Sequence, residues 1–485
     1  MQEDKYAVAS RFEGQDSSVD DLTPLNERHE DPAQTDSAAS AYALEVQVLA
    51  PLLPERRASW QSIAFLLIAD IVGTGVLALS GNLRMLGWSA GIGALLLFYP
   101  INLYSGLLLA RCHMWYPKAA TYIDLGHAIW GEWGIVVGVV LYTYFVFVLG
   151  IFHLTLTKTA MSVFYASGLC QPVWGLLVTI ALLPSLQLQS LHDLGPLAVV
   201  SMVTVTLPVL ACIASIVFQG RSDIAAESAS VGIPSETRWV EAVNGISGIV
   251  FAYSGQSIYP NLLAEMKRPE DFPKACYAAG PYMVFVYLAS ACTGYYYLGA
   301  DAPFFLVDVL DCDWVRTASG VSLFVHMVIS YAITSEVLTR AVQLKLSPHR
   351  NNGTGWNARL EWFGISGSIA LLAYCLANAV PFFDDFTHLS GSLQMPFICF
   401  LLPGGLYWTA AKRRGGLSAM ERPAVIGLLV IGAVLLPVGL AGVSVSTWSD
   451  WNEFGWPFAC YRLPECCPNQ VNAEGECTIL DSETS

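Results

Sequence analysis

The chain has 485 residues, of which 54% are hydrophobic and only 13% charged. A soluble domain carries about 25% charged residues, so there are too few charges here to cover a water-facing surface. The net charge is −15, with much of the acid in the two ends, and no basic stripe exists to neutralise phosphates, which excludes nucleic acid as a partner.

From the N-terminus, residues 1–58 are rich in Asp, Glu, Ser and Gln and short of clustered aliphatics, the composition of a solvated cytoplasmic tail. Such a tail can also carry contacts for cytoplasmic regulators. It holds no apolar core of a cleavable signal, so the first hydrophobic helix is expected to direct insertion. Residues 59–446 then give about eleven apolar windows of membrane-spanning length, near 62–86, 90–111, 135–157, 171–186, 196–218, 240–264, 279–299, 317–341, 362–380, 388–410 and 422–446. The fourth is the shortest. The reading is an all-α polytopic membrane protein with a short Cys-containing tail over 447–485.

Lys and Arg in the loops set the orientation. With the N-terminus cytoplasmic, the inner loops hold Arg111, Lys118, Lys267, Arg268, Lys274, Arg340, Lys345 and Lys412 to Arg414, whereas the outer loops are acidic, with Asp301, Asp308, Asp311, Asp313, Asp384 and Asp385. The C-terminal tail then lies outside. Cys170, Cys312, Cys460, Cys466, Cys467 and Cys477 all fall on that outer side, where disulfides persist. No Cys/His spacing reads as a zinc site, and no metal or organic cofactor is expected. The one sequon, Asn352-Gly353-Thr354, falls on the inner side, where it would be silent.

Two spans carry backbone breaks. Span 1 reads Ile68-Ala69-Asp70-Ile71-Val72-Gly73-Thr74-Gly75-Val76, and span 6 reads Val250-Phe251-Ala252-Tyr253-Ser254-Gly255-Gln256-Ser257-Ile258-Tyr259-Pro260. Each Gly destabilises a helix by about 1 kcal/mol relative to Ala. Unwound backbone at membrane depth survives only where it meets protein or a water-filled cavity. Close helix packing is the other use of paired glycines. Interrupted helices in corresponding places of two halves point instead to a carrier's binding site.

The same residues carry a resemblance. Gly73-Thr74-Gly75-Val76-Leu77-Ala78-Leu79 with Leu86-Gly87-Trp88 is similar to the helix 1 signature of the amino acid/auxin permease family, a branch of the amino acid–polyamine–organocation superfamily. Thr121-Tyr122-Ile123-Asp124-Leu125-Gly126, the span 6 segment with Glu265, Met266, Pro269 and Phe272-Pro273, and Pro381-Phe382-Phe383 with Gly391 and Leu402-Pro403 resemble further family segments. The resemblance covers roughly 60–446. It implies eleven helices, with 1–5 and 6–10 as inverted repeats and an extra eleventh. It also implies substrate between helices 1, 3, 6 and 8, and coupling to protons or sodium. Ser80 stands where many members have proline, and Asp70 where the residue is usually neutral. A bridge between outer loops, Cys170 to Cys312, is expected by likeness to relatives, with the four tail cysteines pairing among themselves.

The resulting expectation is a secondary active amino acid carrier, a proton symporter for neutral or aromatic substrates. The alternatives are a sodium-coupled carrier and a sensor with little flux. No H-E-x-x-H or G-x-S-x-G suggests an enzyme, and no symmetric ring of charges suggests a channel. The substrate carboxylate is placed on the backbone of Val72, Gly73, Thr74, Gly75 and Val76. Its amino group is placed near the carbonyls of Phe251, Ala252, Tyr253, Ser254 and Gly255. Tyr253, Ser254 and Gln256 are expected to line the pocket, with Phe145, Phe147 and Met327 as further candidates. Asp70 and Glu265 are assigned to coupling or gating, because a carboxylate in a span costs about 2.5–3.5 kcal/mol. Thr334 and Ser335 are the candidates for a sodium site. The membrane is plasma or vacuolar/lysosomal.

Overall fold

The computed structural model describes residues 56–187, 194–221, 223–311, 313–347, 355–454 and 456–460. Most of the acidic tail, Cys312, the sequon and Cys466, Cys467 and Cys477 lie outside these residues. The unit from Pro54 onward is helical throughout its described residues, apart from one isolated β-bridge between Ala58 and Met266.

In chain order, the helices are α1 (Trp60–Ile71), α2 (Thr74–Leu77), α3 (Leu79–Trp115), α4 (Tyr122–Trp130), α5 (Ile135–Val163), α6 (Gln171–Leu182), α7 (Leu194–Gln219) and α8 (Asp223–Ser228). They continue with α9 (Trp239–Ala252), α10 (Tyr259–Glu265), α11 (Phe272–Leu298), α12 (Trp314–Leu346), α13 (Trp356–Ala379), α14 (Phe383–Leu393), α15 (Leu402–Lys412) and α16 (Glu421–Phe454). Among the described residues, eight helical stretches are long and apolar enough to cross a membrane, and the three shorter apolar ones are α1, the α6 region and α9. Together they occupy the eleven windows read from hydropathy. Large apolar side chains such as Leu207, Leu210 and Phe218 point outward, whereas Asn82, His153, Gln256, Ser290 and His326 are fully buried. That is the pattern of a bundle solvated by lipid, in which polar groups find partners only inside.

Spans 1 and 2 are joined by a kink within α3, at Gly87, whose φ of +70° suits glycine. A Cβ there would sit 1.9 Å from the Gly232 carbonyl oxygen. The segment before α9 docks against this bend, with Trp88 N donating to Ser230 O at 3.1 Å and Ser89 N to Val231 O at 2.8 Å.

The Cys170–Cys312 bridge is not formed: Cys170 is bonded to Cys460. Nor, therefore, do all four tail cysteines pair with one another. The cause is the length of α16, which runs on to Phe454 instead of ending near 446. Trp451 Nε1 donates to Ala379 O at 3.1 Å and Phe458 N to Asn378 O at 3.1 Å, so the tail folds back over the end of α13. Gln171, at the start of α6, reaches the neighbouring Pro381 O at 3.5 Å. Non-reducing peptide mapping should recover a peptide pair joining Cys170 to Cys460; recovery of Cys170 joined to Cys312 would overturn this.

Candidate functional site

α1 is started by Ser59, whose side chain accepts from Ser62 N, and it stops at Ile71. Val72 (φ −82°, ψ 69°) and Gly73 (φ −121°, ψ −122°) leave the helix before α2 resumes it. Span 6 unwinds between α9 and α10, over 253–258, and Pro260 starts the second half. The two breaks touch. A Cβ on Gly75 would lie 2.6 Å from Ala252 Cα, so Gly75 is required by close packing as well as by any ligand.

Freed backbone groups divide into met and unmet. Tyr287 of α11 places its hydroxyl 2.9 Å from Ile71 O and 2.5 Å from Ala252 O, the ends of both first half-helices. Phe251 O accepts from Ser254 N at 3.1 Å and from Ser254 Oγ at 2.7 Å. Among the described residues, no donor meets the carbonyls of Tyr253 and Ser254, and no acceptor meets the N–H groups of Thr74, Gly75 and Val76. One end of the paired breaks therefore offers donors and the other acceptors. Ile71 O also accepts from Gly73 N at 2.9 Å, so Tyr287→Phe would leave the buried Ala252 carbonyl without its donor and should destabilise the fold by about 1–3 kcal/mol. An unchanged melting temperature of the detergent-purified variant would remove the staple.

Between the breaks lies a small cavity of about 30 Å³, room for a water or two. Span 1 contributes Asp70, Ile71, Thr74 and Gly75; α5 contributes Tyr144, Phe145, Val148 and Phe152; span 6 contributes Phe251, Ser254, Ser257 and Ile258; α12 contributes Thr334. Tyr144 shares the cavity wall with Ser254 and Ser257. Asp70 lines the cavity from the last turn of α1 and is exposed to that space.

Several expected residues are elsewhere. Gln256 is fully buried on the opposite side of the break. Its Nε2 donates to Asn102 O at 3.1 Å and Asn102 Oδ1 at 3.0 Å, while its Oε1 accepts from Gly255 N at 3.0 Å. It shapes the unwound segment and does not line the cavity. Tyr253 faces a second cavity with Tyr99, Asn102, Tyr259 and Met283, and its ring packs 5.0 Å from that of Tyr287. Val72, Gly73, Val76, Ala252 and Gly255 do not line the cavity. Ser335 is buried with its hydroxyl unpartnered, and Met327 is packed in the core. Phe147 meets Phe386 edge to face at 6.2 Å. Glu265 closes α10, and its carbonyl accepts from Ala58 N at 2.9 Å, which pairs the start of span 1 with the exit of span 6. Tyr144, Val148, Phe152, Ser257, Ile258 and Tyr287 were missed from sequence; Tyr144 and Ser257 carried a signal, as polar groups near mid-span.

The fold resembles that of MhsT in its crystal structure with L-phenylalanine, with a TM-score of 0.55 at 12% identity, over 80% of this chain and 99% of that one. Among curated proteins, the "N amino acid transport system protein" of Neurospora crassa is 24% identical over 426 residues, 84% of this chain and 89% of that protein. The "Amino acid transporter AVT1B" of Arabidopsis thaliana is 26% identical over 382 residues, 76% of this chain and 67% of that protein. The profile of the family described as "Transmembrane amino acid transporter protein" matches residues 56–445. The chain is a multi-pass integral membrane protein that belongs to this transmembrane amino acid transporter family and not to an enzyme family.

Proposed function

We propose that the chain is a secondary active amino acid carrier that couples uptake to protons and works by alternating access. The observation that carries this reading is the single cavity into which both helix breaks and the Asp70 carboxyl open. Free N–H groups at Thr74 to Val76 suit a substrate carboxylate, and the carbonyls of Tyr253 and Ser254 suit its ammonium group, in line with the half-helix dipoles. The wall facing them is Tyr144, Phe145, Val148 and Phe152, which favours neutral or aromatic side chains. Asp70 is the proton carrier in this reading, and Glu265 a gate residue at the exit of span 6. The N-terminus is cytoplasmic and the Cys170–Cys460 end extracytoplasmic, following the Lys/Arg bias.

Purified protein in liposomes, given a panel of labelled amino acids, tests the reading. A carrier shows saturable counterflow and accumulates a neutral or aromatic substrate under an inward proton gradient. Saturable binding without counterflow would identify a sensor and overturn the proposal. Accumulation that needs sodium in place of a pH gradient would transfer coupling to Thr334 and Ser335.

A further inference from the structure

The first turns of α14 carry Asp384, Asp385 and His388, with one ligand atom from each lying within 4.8 Å of the others. None of the three lines the substrate cavity. Asp385 and His388 are fully buried, and each is only half satisfied. Asp385 Oδ1 accepts from Ser446 Oγ of α16 at 2.7 Å, while Oδ2 meets no donor among the described residues. His388 Nε2 stands 2.9 Å from Asn82 Oδ1 of α3, while Nδ1 has no partner there. An amide oxygen only accepts, so Nε2 carries the proton and Nδ1 presents a lone pair. The cation facing Asp384 is engaged elsewhere: the Arg84 guanidinium lies over the Phe304 ring at 4.7 Å and donates to Ala300 O at 3.1 Å.

The geometry points to a divalent transition-metal site at the head of α14, formed by Asp384, Asp385 and His388 and suited to Zn²⁺. One imidazole nitrogen and two carboxylates make a borderline donor set, harder than thiolate and softer than the all-oxygen cages of Ca²⁺. The outer contacts are those a metal ligand needs. The far nitrogen of the imidazole is held by Asn82 and the far oxygen of the carboxylate by Ser446, which orients both ligands and fixes the tautomer. Ligand atoms around tetrahedral Zn²⁺ lie about 3.4 Å apart, so side-chain movements of about 1 Å would complete the shell, with water in the fourth place. The bound ion would tie α14 to span 1 through Asn82 and to α16 through Ser446.

The test uses full-length protein in detergent, stripped with chelator and titrated with ZnCl₂ by calorimetry, and its outcome is independent of whether the chain transports. One ion per chain is expected, with a nitrogen/oxygen shell containing one imidazole by X-ray absorption. Asp385→Asn and His388→Gln should each weaken binding by about a hundredfold, and Ser446→Ala by about tenfold. Asp384→Asn, at the half-buried ligand, gives the same readout should a buried variant fail to yield monodisperse protein. Wild-type affinity in all the ligand variants, sulfur in the zinc shell, or no saturable binding would overturn the site.

Discussion

Asp70→Asn should abolish proton-driven accumulation while leaving counterflow in place. An inward gradient of one pH unit supplies about 1.4 kcal/mol per proton, enough to hold a one-proton symporter near tenfold accumulation. The variant should settle near an equal concentration on both sides, because Asn keeps the shape of Asp70 but cannot carry a proton. The position supports this role. Asp70 stands in the cavity wall one turn before the Gly73 break, and Tyr144, Ser254, Ser257 and Thr334 line the same space. An ammonium group and a proton are alternative partners for that carboxylate, and the two roles separate cleanly. If Asp70 only binds the substrate amine, Asp70→Asn raises the half-saturating concentration for counterflow as well. If it carries the proton, counterflow keeps its affinity and only the driven component is lost. Full accumulation by the variant would refute the coupling role.

The spans were legible because each is an apolar run of membrane length, and lipid imposes that pattern on every passage. The breaks were legible too, since glycines and a mid-span carboxyl contradict an inert helix at Asp70 to Gly75, and the polar run ending at Pro260 does so in span 6. Which way each side chain of an unwound stretch points is a different matter. A helix has a period of 3.6, but residues 253–258 have none, so Ser254, Ser257 and Ile258 face the cavity while Tyr253 and Gln256 face away. The partners that settle this, Asn102 for Gln256 and Tyr287 for Ala252, lie on other spans. The Cys170 pairing failed for a related reason. It depends on where α16 ends, and Trp451 carries the helix past the hydropathy window by bonding to Ala379 O.

A second large effect is expected at Gly75, in contrast to Gly73. Paired glycines in a broken span suit either close helix packing or a ligand, and the contact with Ala252 makes packing decisive at Gly75. A Cβ on Gly75 meets Ala252 Cα at 2.6 Å and Ala252 Cβ at 2.9 Å, and a Cα cannot swing aside as a flexible side chain can. Gly75→Ala should therefore separate spans 1 and 6 where both are unwound, destabilising the protein by about 1–3 kcal/mol. Uptake should fall by about tenfold or more even after correction for the amount of folded protein, because the same displacement opens the cavity wall. Gly75→Val should be worse on both counts. Ala252→Gly in the Gly75→Ala background removes only the 2.9 Å contact and leaves the 2.6 Å one, so rescue should be partial. At Gly73 the nearest atoms to an added Cβ are His326 Nε2 at 3.5 Å and Asp70 O at 3.6 Å, ordinary van der Waals contact. Gly73→Ala should retain most of its uptake. Matched uptake and thermal-shift measurements on the three single variants decide it: the order Gly73→Ala, Gly75→Ala, Gly75→Val should hold in both assays. A Gly75→Ala protein as stable and active as wild type would mean that spans 1 and 6 are not in contact at this point.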